Sequence, residues 1–381
     1  MRIGISTTTI DPLITQGRMD GIGVYTQNLI NYLQKQNIAV AGYSCASLKK
    51  WFDKRNDQYS PYQALIPYAI TGSLSAFFNL PNLECHKIEK NINLYHATDF
   101  RFLRLKKTPT VATLHDALIL RFKHFSSTRL RDYKNWVLKK LIRYSDCIIT
   151  VSHAMVPDMV DFWKVSPDRI KVVYNGIGDE WFFPVSVQEK YEVLKKYHLP
   201  AEYLLFVGTL QPKKNVARII EAFSSLPKSL QQEHPLVIAG KIGWDCQENR
   251  ELMIKIKKLM ETKTVHWLDY VPTNEVRALY QCARGVVYPS LYEGFGIPVL
   301  EAFASRVPLL GSNIAAITEI ANDAALLVDP TDTEAIRDGM LQLIQNTELT
   351  DRFKELGYQR AQTMTWAHCA ENTLKVYKKL L

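Results

Sequence analysis

Short uninterrupted apolar runs recur along the chain, separated by stretches with helical spacing. In the first half the runs are Arg2–Ser6, Asn93–Ala97, Thr110–Leu114, Cys147–Ser152 and Ile170–Tyr174, with Ile38–Tyr43 as a further candidate. In the second half they are Tyr203–Val207, Pro235–Ala239, Val265–Leu268, Gly285–Tyr288, Pro308–Leu310 and Ala325–Val328. Runs without polar alternation fit parallel strands covered on both faces. Between them Leu29, Ile30 and Leu33, and later Val216, Ile219, Ile220 and Phe223, recur at helical spacing. A further helix is expected from about Asn274 to Ala283. The pattern predicts an α/β protein with two parallel sheets. A polar segment after Asp179–Pro184 places the boundary, giving domains 1–185 and 186–365. The closing stretch 366–381 reads as a helix, with Leu374, Tyr377, Leu380 and Leu381 as apolar candidates, that crosses back onto the first domain. Residues 49–90 give no clear pattern.

Three loops that follow strands carry glycines. Gly208-Thr-Leu-Gln-Pro-Lys-Lys-Asn215 leads into a helix, with Asn215 as a good N-cap and Lys213 and Lys214 at its mouth. Gly240-Lys-Ile-Gly-Trp244 is the second. The third holds two carboxylates, Glu293-Gly-Phe-Gly-Ile-Pro-Val-Leu-Glu301, with Pro298 suited to a first helical turn. Helix N-termini after glycine turns hold anions well, and amines beside them suit a diphosphate. Each loop taken singly also fits an ordinary strand-to-helix connection with solvated charges; their repetition in one domain favours a ligand. In the first half Asp20-Gly-Ile-Gly-Val-Tyr25 sets Gly21 and Gly23 just before a helix. His115 and Asp116 end a strand, where open α/β sheets bind ligands, although a histidine there also serves structure alone.

Composition then narrows the class. The 381 residues are 47% hydrophobic and 22% charged, as in globular chains, and long enough for two domains. No stretch reaches the roughly 20 apolar residues of a membrane span, and the N-terminus lacks the pattern of a signal peptide. The six cysteines are scattered with no C-x-x-C pair, which favours free thiols and a cytoplasmic location over disulfides or zinc. Residues 1–183 hold 24 Lys and Arg against 15 Asp and Glu, so the whole excess of nine positive charges lies there. The densest part is 121–144, with Arg121, Lys123, Arg129, Arg131, Lys134, Lys139, Lys140 and Arg143 against Asp132; Arg101, Arg104, Lys106 and Lys107 add to it. Such a half-protein suits an anionic surface, phospholipid or nucleic acid. It also fits a solvated helix packed on the sheet.

With these residues in hand the chain resembles the family-4 retaining glycosyltransferases, which have the GT-B fold of two Rossmann-like domains facing across a cleft. The E-x7-E motif Glu293–Glu301 and the segment Val207–Val216 carry most of the likeness. Gly21–Tyr25, His115-Asp116 and Asn175-Gly176 match in order. The resemblance implies a second domain that holds a nucleotide-diphosphate sugar. Glu301 would take the ribose hydroxyls and Glu293 those of the donor sugar. Gly294, Phe295, Gly296 and Ile297 would supply amides, and Gly208, Thr209, Lys213 and Lys214 would line the diphosphate. Gly240, Tyr270 and Val271 would lie against the base. In the first domain Gly21 and Gly23 would close on the diphosphate, and His115 would contact the sugar. Lys214, Glu293 and His115 are the catalytic candidates. Thr209 stands where many relatives have arginine, so that role does not carry over.

No D-x-D triplet occurs, which fits a metal-independent reaction, and no cofactor is implied. The likeness is strongest to bacterial mannosyltransferases of surface-polysaccharide and lipopolysaccharide synthesis, which favours GDP-mannose; UDP- and dTDP-sugars stay open. Asp269 is placed to meet a guanine, or is a solvated loop residue. The expected acceptor is a saccharide or a lipid-linked saccharide at the inner face of the cytoplasmic membrane. A nucleic-acid-binding protein is the rival from charge alone, but no nucleic-acid motif accompanies the basic half. A nucleotide-sugar binder without transfer activity is the rival on the same fold.

Overall fold

The computed structural model describes residues 1–15, 19–45, 62–122, 130–243 and 246–381. Lys123 and Arg129 of the basic stretch and Trp244 of the second glycine loop lie outside the described residues. The chain forms two compact units, Met1–Asn175 with Trp366–Leu381, and Gly176–Thr365.

The first unit is built on β1 (Arg2–Ser6), β2 (Ala39–Ser44), β3 (Tyr62–Gln63), β4 (Leu94–Ala97), β5 (Thr110–Leu114), β6 (Cys147–Thr150) and β7 (Ile170–Val172). Among the described residues they form one sheet in the order β3-β2-β1-β4-β5-β6-β7, every pair parallel. The chain starts at β1, runs outward to β3 and returns to β4 on the other side. The switch point therefore lies between β1 and β4. β4, β5 and β6 are buried along their whole length, which is why they are apolar without alternation.

The helix Gly21–Lys35 starts one turn earlier than the glycines alone imply. Asp20 is its N-cap and accepts the Gly23 N–H at 2.9 Å, so Gly21 and Gly23 lie inside the first turn. The closing helix Trp366–Leu380 packs on it. Leu374 and Tyr377 are buried there, whereas Leu381 is exposed. Tyr377 also reaches the sheet, where its hydroxyl lies 2.6 Å from His96 Nδ1. Burial, then the neighbouring His115, hold His96 down to about 3, so it is neutral.

The second unit holds β8 (Leu204–Val207), β9 (Leu236–Ala239), β10 (Val265–Trp267), β11 (Gly285–Tyr288), β12 (Leu309–Ser312) and β13 (Leu326–Val328). Their order is β10-β9-β8-β11-β12-β13, again all parallel, with the switch between β8 and β11. The loops that leave β9, β8 and β11 are thus neighbours in space. The segment Gly176–Val185 belongs with this unit. Val185 N–H donates to Gln281 Oε1, and the Arg277 and Gln281 side chains donate to the Phe183 carbonyl. Among the described residues no helix is long and apolar enough to cross a membrane.

Candidate active site

Strand order alone brings three sequence-distant loops together in the second unit; specific contacts then fix their spacing. Gly208 N–H donates to the Ala239 carbonyl, Leu210 N–H to Lys241 O, and Gly243 N–H to Leu210 O. Gly240 must be glycine at this junction, because a Cβ there would sit 1.9 Å from the Gly208 carbonyl oxygen. Trp267 braces the same point by donating from Nε1 to Gly240 O at 2.9 Å. Tyr270 is half-buried, Val271 is buried, and Asp269 is exposed with φ 51°.

Lys213 and Lys214 form a single 3₁₀ turn, Pro212–Lys214, before the helix Val216–Ser224. Asn215 occupies the N-cap position but does not cap. It is left-handed, with φ 63°, and its side chain makes no capping bond. Instead Nδ2 donates to the Pro289 carbonyl at 3.0 Å and to Pro330 O at 2.6 Å. Leu291 N–H returns a bond to Lys213 O. Asn215 is therefore a clamp that holds the lysine turn against the loop after β11.

That clamp sets Lys214 beside Glu293. Lys214 Nζ donates to Glu293 Oε1 at 2.6 Å and hydrogen-bonds the Tyr288 hydroxyl. Tyr288 OH in turn donates to Glu293 Oε1 at 2.9 Å. Both charged side chains are largely buried, 13% and 8% exposed. Burial alone would raise the Glu293 carboxyl, but Lys214 and then Lys213 outweigh it and hold the group below the usual carboxylate value. Lys213 lies with its Nζ 6.0 Å from the Tyr292 ring centre.

The loop continues through buried Gly294 and Phe295 to Gly296, which has φ 99° and would place a Cβ 2.7 Å from Ile317 Cδ1. Only glycine turns the chain here, and the helix Ile297–Ala304 begins at once with proline in its first turn. Glu301 stands on this helix, half-buried, and accepts from Tyr280 OH at 2.7 Å. Burial pushes its carboxyl up to about 7, against the pull of Tyr280 and of Lys214. The arrangement presents an amine pair, helix-terminal amides, an ionised carboxylate and a second carboxyl close to neutrality. It can take a ligand with an anionic part and several hydroxyls.

A separate cluster lies at the carboxyl end of β5 in the first unit. His115 Nε2–H donates to the Thr98 carbonyl at 3.0 Å, which leaves Nδ1 as the acceptor nitrogen. Burial lowers its pKa despite that bond and Asp116, so the ring is neutral near pH 7. Tyr25 meets it edge-on, ring centres 4.8 Å apart. Gly23 lies two residues before Tyr25 and approaches Thr9, where a Cβ would come within 2.8 Å of the carbonyl. Gly21 has open space around it. Gly21, Gly23 and His115 thus share one region of the first unit, and the remaining candidates lie in the second, on the loops after β8, β9, β10 and β11 and on the helix Ile297–Ala304.

Two family models divide the chain. Glycosyltransferase Family 4 matches residues 19–181, and Glycosyl transferases group 1 matches residues 191–360. The O-antigen chain mannosyltransferase B of Escherichia coli is 31% identical over 288 residues, 75% of this chain and 74% of that protein. The chain belongs to the family-4 glycosyltransferases. The serotype-specific mannosyltransferase WbdA of Escherichia coli is 27% identical over 71% of this glycosyltransferase, which spans 34% of that longer protein. The solved structure of HepE from Anabaena, in complex with UDP and glucose, matches 100% of both chains at TM-score 0.76 and 17% identity. What is common to the two is the two-domain α/β GT-B fold.

The roles of three residues of this glycosyltransferase escape a reading by motif. Tyr288 and Tyr280 carry the hydroxyls that hold Glu293 and Glu301, and Asn215 joins two loops. A buried tyrosine needs a partner for its hydroxyl, so Tyr288 at the end of an apolar strand was a usable signal. Tyr280, inside the helix Thr273–Cys282, gave none.

Proposed function

We propose that the second unit binds a nucleotide-diphosphate sugar and that the chain transfers the hexose with retention at the anomeric carbon and without a metal ion. GDP-mannose is the favoured donor. The observation that carries the reading is the Lys214–Glu293 pair, 2.6 Å apart beside the helix that Gly296 starts. It puts a cation and a hydroxyl acceptor next to the helix N-terminus, as a phosphate-linked sugar requires. Glu293 accepts from the hydroxyls of the sugar and Glu301 from those of the ribose. Gly208, Thr209 and the amides of Gly294–Ile297 face the phosphates, while Gly240, Tyr270 and Val271 line the base.

In the reaction the bond from the anomeric carbon to the β-phosphate oxygen breaks, and negative charge grows on the leaving diphosphate. Lys214 and Lys213 stabilise that charge more in the transition state than in the ground state, which is where rate comes from. The acceptor hydroxyl passes its proton to the leaving phosphate as its oxygen bonds to carbon. No side chain serves as nucleophile; Glu293 is held by Lys214 and Tyr288 as a binding group. In the first unit the neutral His115 Nδ1 accepts from a sugar hydroxyl, next to Gly21 and Gly23.

The acceptor is a saccharide or lipid-linked saccharide of surface-polysaccharide or lipopolysaccharide synthesis, met at the inner face of the cytoplasmic membrane. Mannosyltransferases among the relatives support mannose, and the UDP and glucose held by HepE make a UDP-sugar the second reading. A donor panel decides. GDP release from GDP-mannose, undiminished by a chelator and giving an axial product bond by NMR, is expected. Release of UDP or dTDP alone replaces the donor, and no release from any donor with any saccharide acceptor overturns the reading.

A further inference from the structure

We propose that the first unit docks on an anionic phospholipid bilayer through an aromatic face formed by the helices Tyr68–Phe78 and Arg131–Leu141. The inference rests on the membrane-bound acceptor of the preceding reading for its purpose, but on separate observations for its content. The two helices pack together. Gly72 allows the approach, since its missing Cβ faces Leu141 Cδ1 at 3.4 Å, and Tyr133 OH donates to Ser73 Oγ at 2.6 Å. Val137 and Leu141 of the second helix are buried, while Leu130 just before it and Tyr133 and Trp136 on its flank stay outside.

That outer flank is apolar. Leu130, Tyr133 and Trp136 recur at three-residue steps and are all exposed, Leu130 by 61%. Phe77 joins them, its ring centre 4.7 Å from that of Trp136 and 6.1 Å from that of Tyr133. The patch then extends past the helix end. Phe78 is 66% exposed and Leu80 51%, on either side of Asn79, whose left-handed φ of 54° turns the chain outward. Isolated exposed apolar side chains are ordinary; a contiguous set containing two Phe, a Tyr and a Trp marks a surface that meets something apolar.

The charge around it selects the partner. Lys140 lies over the Trp136 ring at 5.9 Å, and Lys134, Lys139 and Arg143 share its helix and the turn that follows. Arg104 donates to Asn79 Oδ1 at 2.7 Å and covers the Tyr144 ring at 4.4 Å, beside the Phe78 turn. Nearby carboxylates are occupied within the chain. Glu84 accepts from Leu65 N–H, Glu89 from the amides of Lys106, Lys107 and Thr108, and Asp132 pairs with Arg131. Aromatic rings that enter the headgroup boundary, rimmed by amines that meet lipid phosphates, are the chemistry of an interfacial anchor.

Cosedimentation of the full chain with phosphatidylethanolamine vesicles, with and without phosphatidylglycerol and in the absence of any donor, tests this. Binding to the phosphatidylglycerol vesicles alone is expected. Phe77→Ser with Phe78→Ser should weaken it about tenfold or more at every salt concentration, the weight of a large apolar side chain kept in water. Lys134→Gln with Lys140→Gln should weaken it at low salt and little at high salt. Both doubles should melt as the parent does and release nucleotide normally with a water-soluble acceptor. Unchanged vesicle binding by the phenylalanine double, or equal binding to neutral vesicles, overturns the proposal. So does parent self-association, without vesicle binding, that the phenylalanine double abolishes, because a second copy then covers the face. Vesicle binding is read without catalysis, so its failure leaves the transfer reading standing, and the reverse holds too.

Discussion

Glu293 and Glu301 stand eight positions apart, on one loop and the helix it starts, yet their surroundings are opposite. Glu293 is buried against an ammonium and titrates below the usual range. Glu301 has a phenol, that of Tyr280, as its hydrogen-bond partner among the described residues, and burial pushes it up to about 7. The same residue type is thus held charged in one place and near neutrality in the other. Strand order explains the difference: the Asn215 clamp brings the lysine turn to the loop after β11, and Glu301 stands beyond it, next to the helix Thr273–Cys282. The lesson is that a two-carboxylate motif does not define two equivalent groups, and each has to be tested separately.

Removing the cation should produce the largest effect. Lys214→Ala is expected to lower kcat about 10²–10³-fold, since it deletes a charge aimed at the leaving diphosphate. Steady-state nucleotide release checks this, and a loss confined to KM would mean that Lys214 binds ground state and transition state alike. Glu293→Gln comes next. It leaves the Lys214 ammonium buried without its carboxylate, at a cost of about 3 kcal/mol in unfolding free energy. Because the Glu293 pKa is lowered, its contribution is present above the usual Glu value and lost as pH falls, so the variant and parent should converge in acid.

Glu301→Gln should behave in the reverse sense. A raised pKa means that the folded state favours the protonated carboxyl, so the parent loses stability as pH rises from the usual Glu value through about 7. Relative to the variant the parent should fall by about 3 to 4 kcal/mol at most, at 1.4 kcal/mol per pKa unit. Urea unfolding on both sides of that window measures it. If the two curves stay parallel, the carboxyl is not desolvated and the contrast between the glutamates fails. The smallest change is expected from the phenols. Tyr280→Phe and Tyr288→Phe should each cost about 1 kcal/mol. Only Tyr288→Phe should also slow turnover, because its hydroxyl touches both Lys214 and Glu293.

Much of this was legible in the chain, and the rest failed for physical reasons. Strands such as Cys147–Thr150 and Leu204–Val207 are buried on both faces, so their apolar runs announce them. Glycine marks the turn at Gly296, where φ is 99° and other residues are strained, and Pro298 suits the first helical turn that follows. The start of the helix Gly21–Lys35 was misplaced because Asp20 is the cap, and Asn215 looks like a cap while its side chain reaches two distant carbonyls. Partnerships are the least visible level. Lys214 meets Glu293 across 79 residues and Tyr280 meets Glu301 across 21, distances that only the strand order closes. The exposed Phe77–Trp136 face is likewise a product of two helices far apart in sequence.

The most direct test of the account is a site-resolved carbon-13 titration of the two glutamate carboxyls, assigned with the Gln variants, with and without a nucleotide-diphosphate sugar. The account predicts Glu293 below the ordinary Glu value and Glu301 near 7, with both resonances moving when the nucleotide sugar binds. Two carboxyls that titrate together at the ordinary value, or that ignore the ligand, would contradict it.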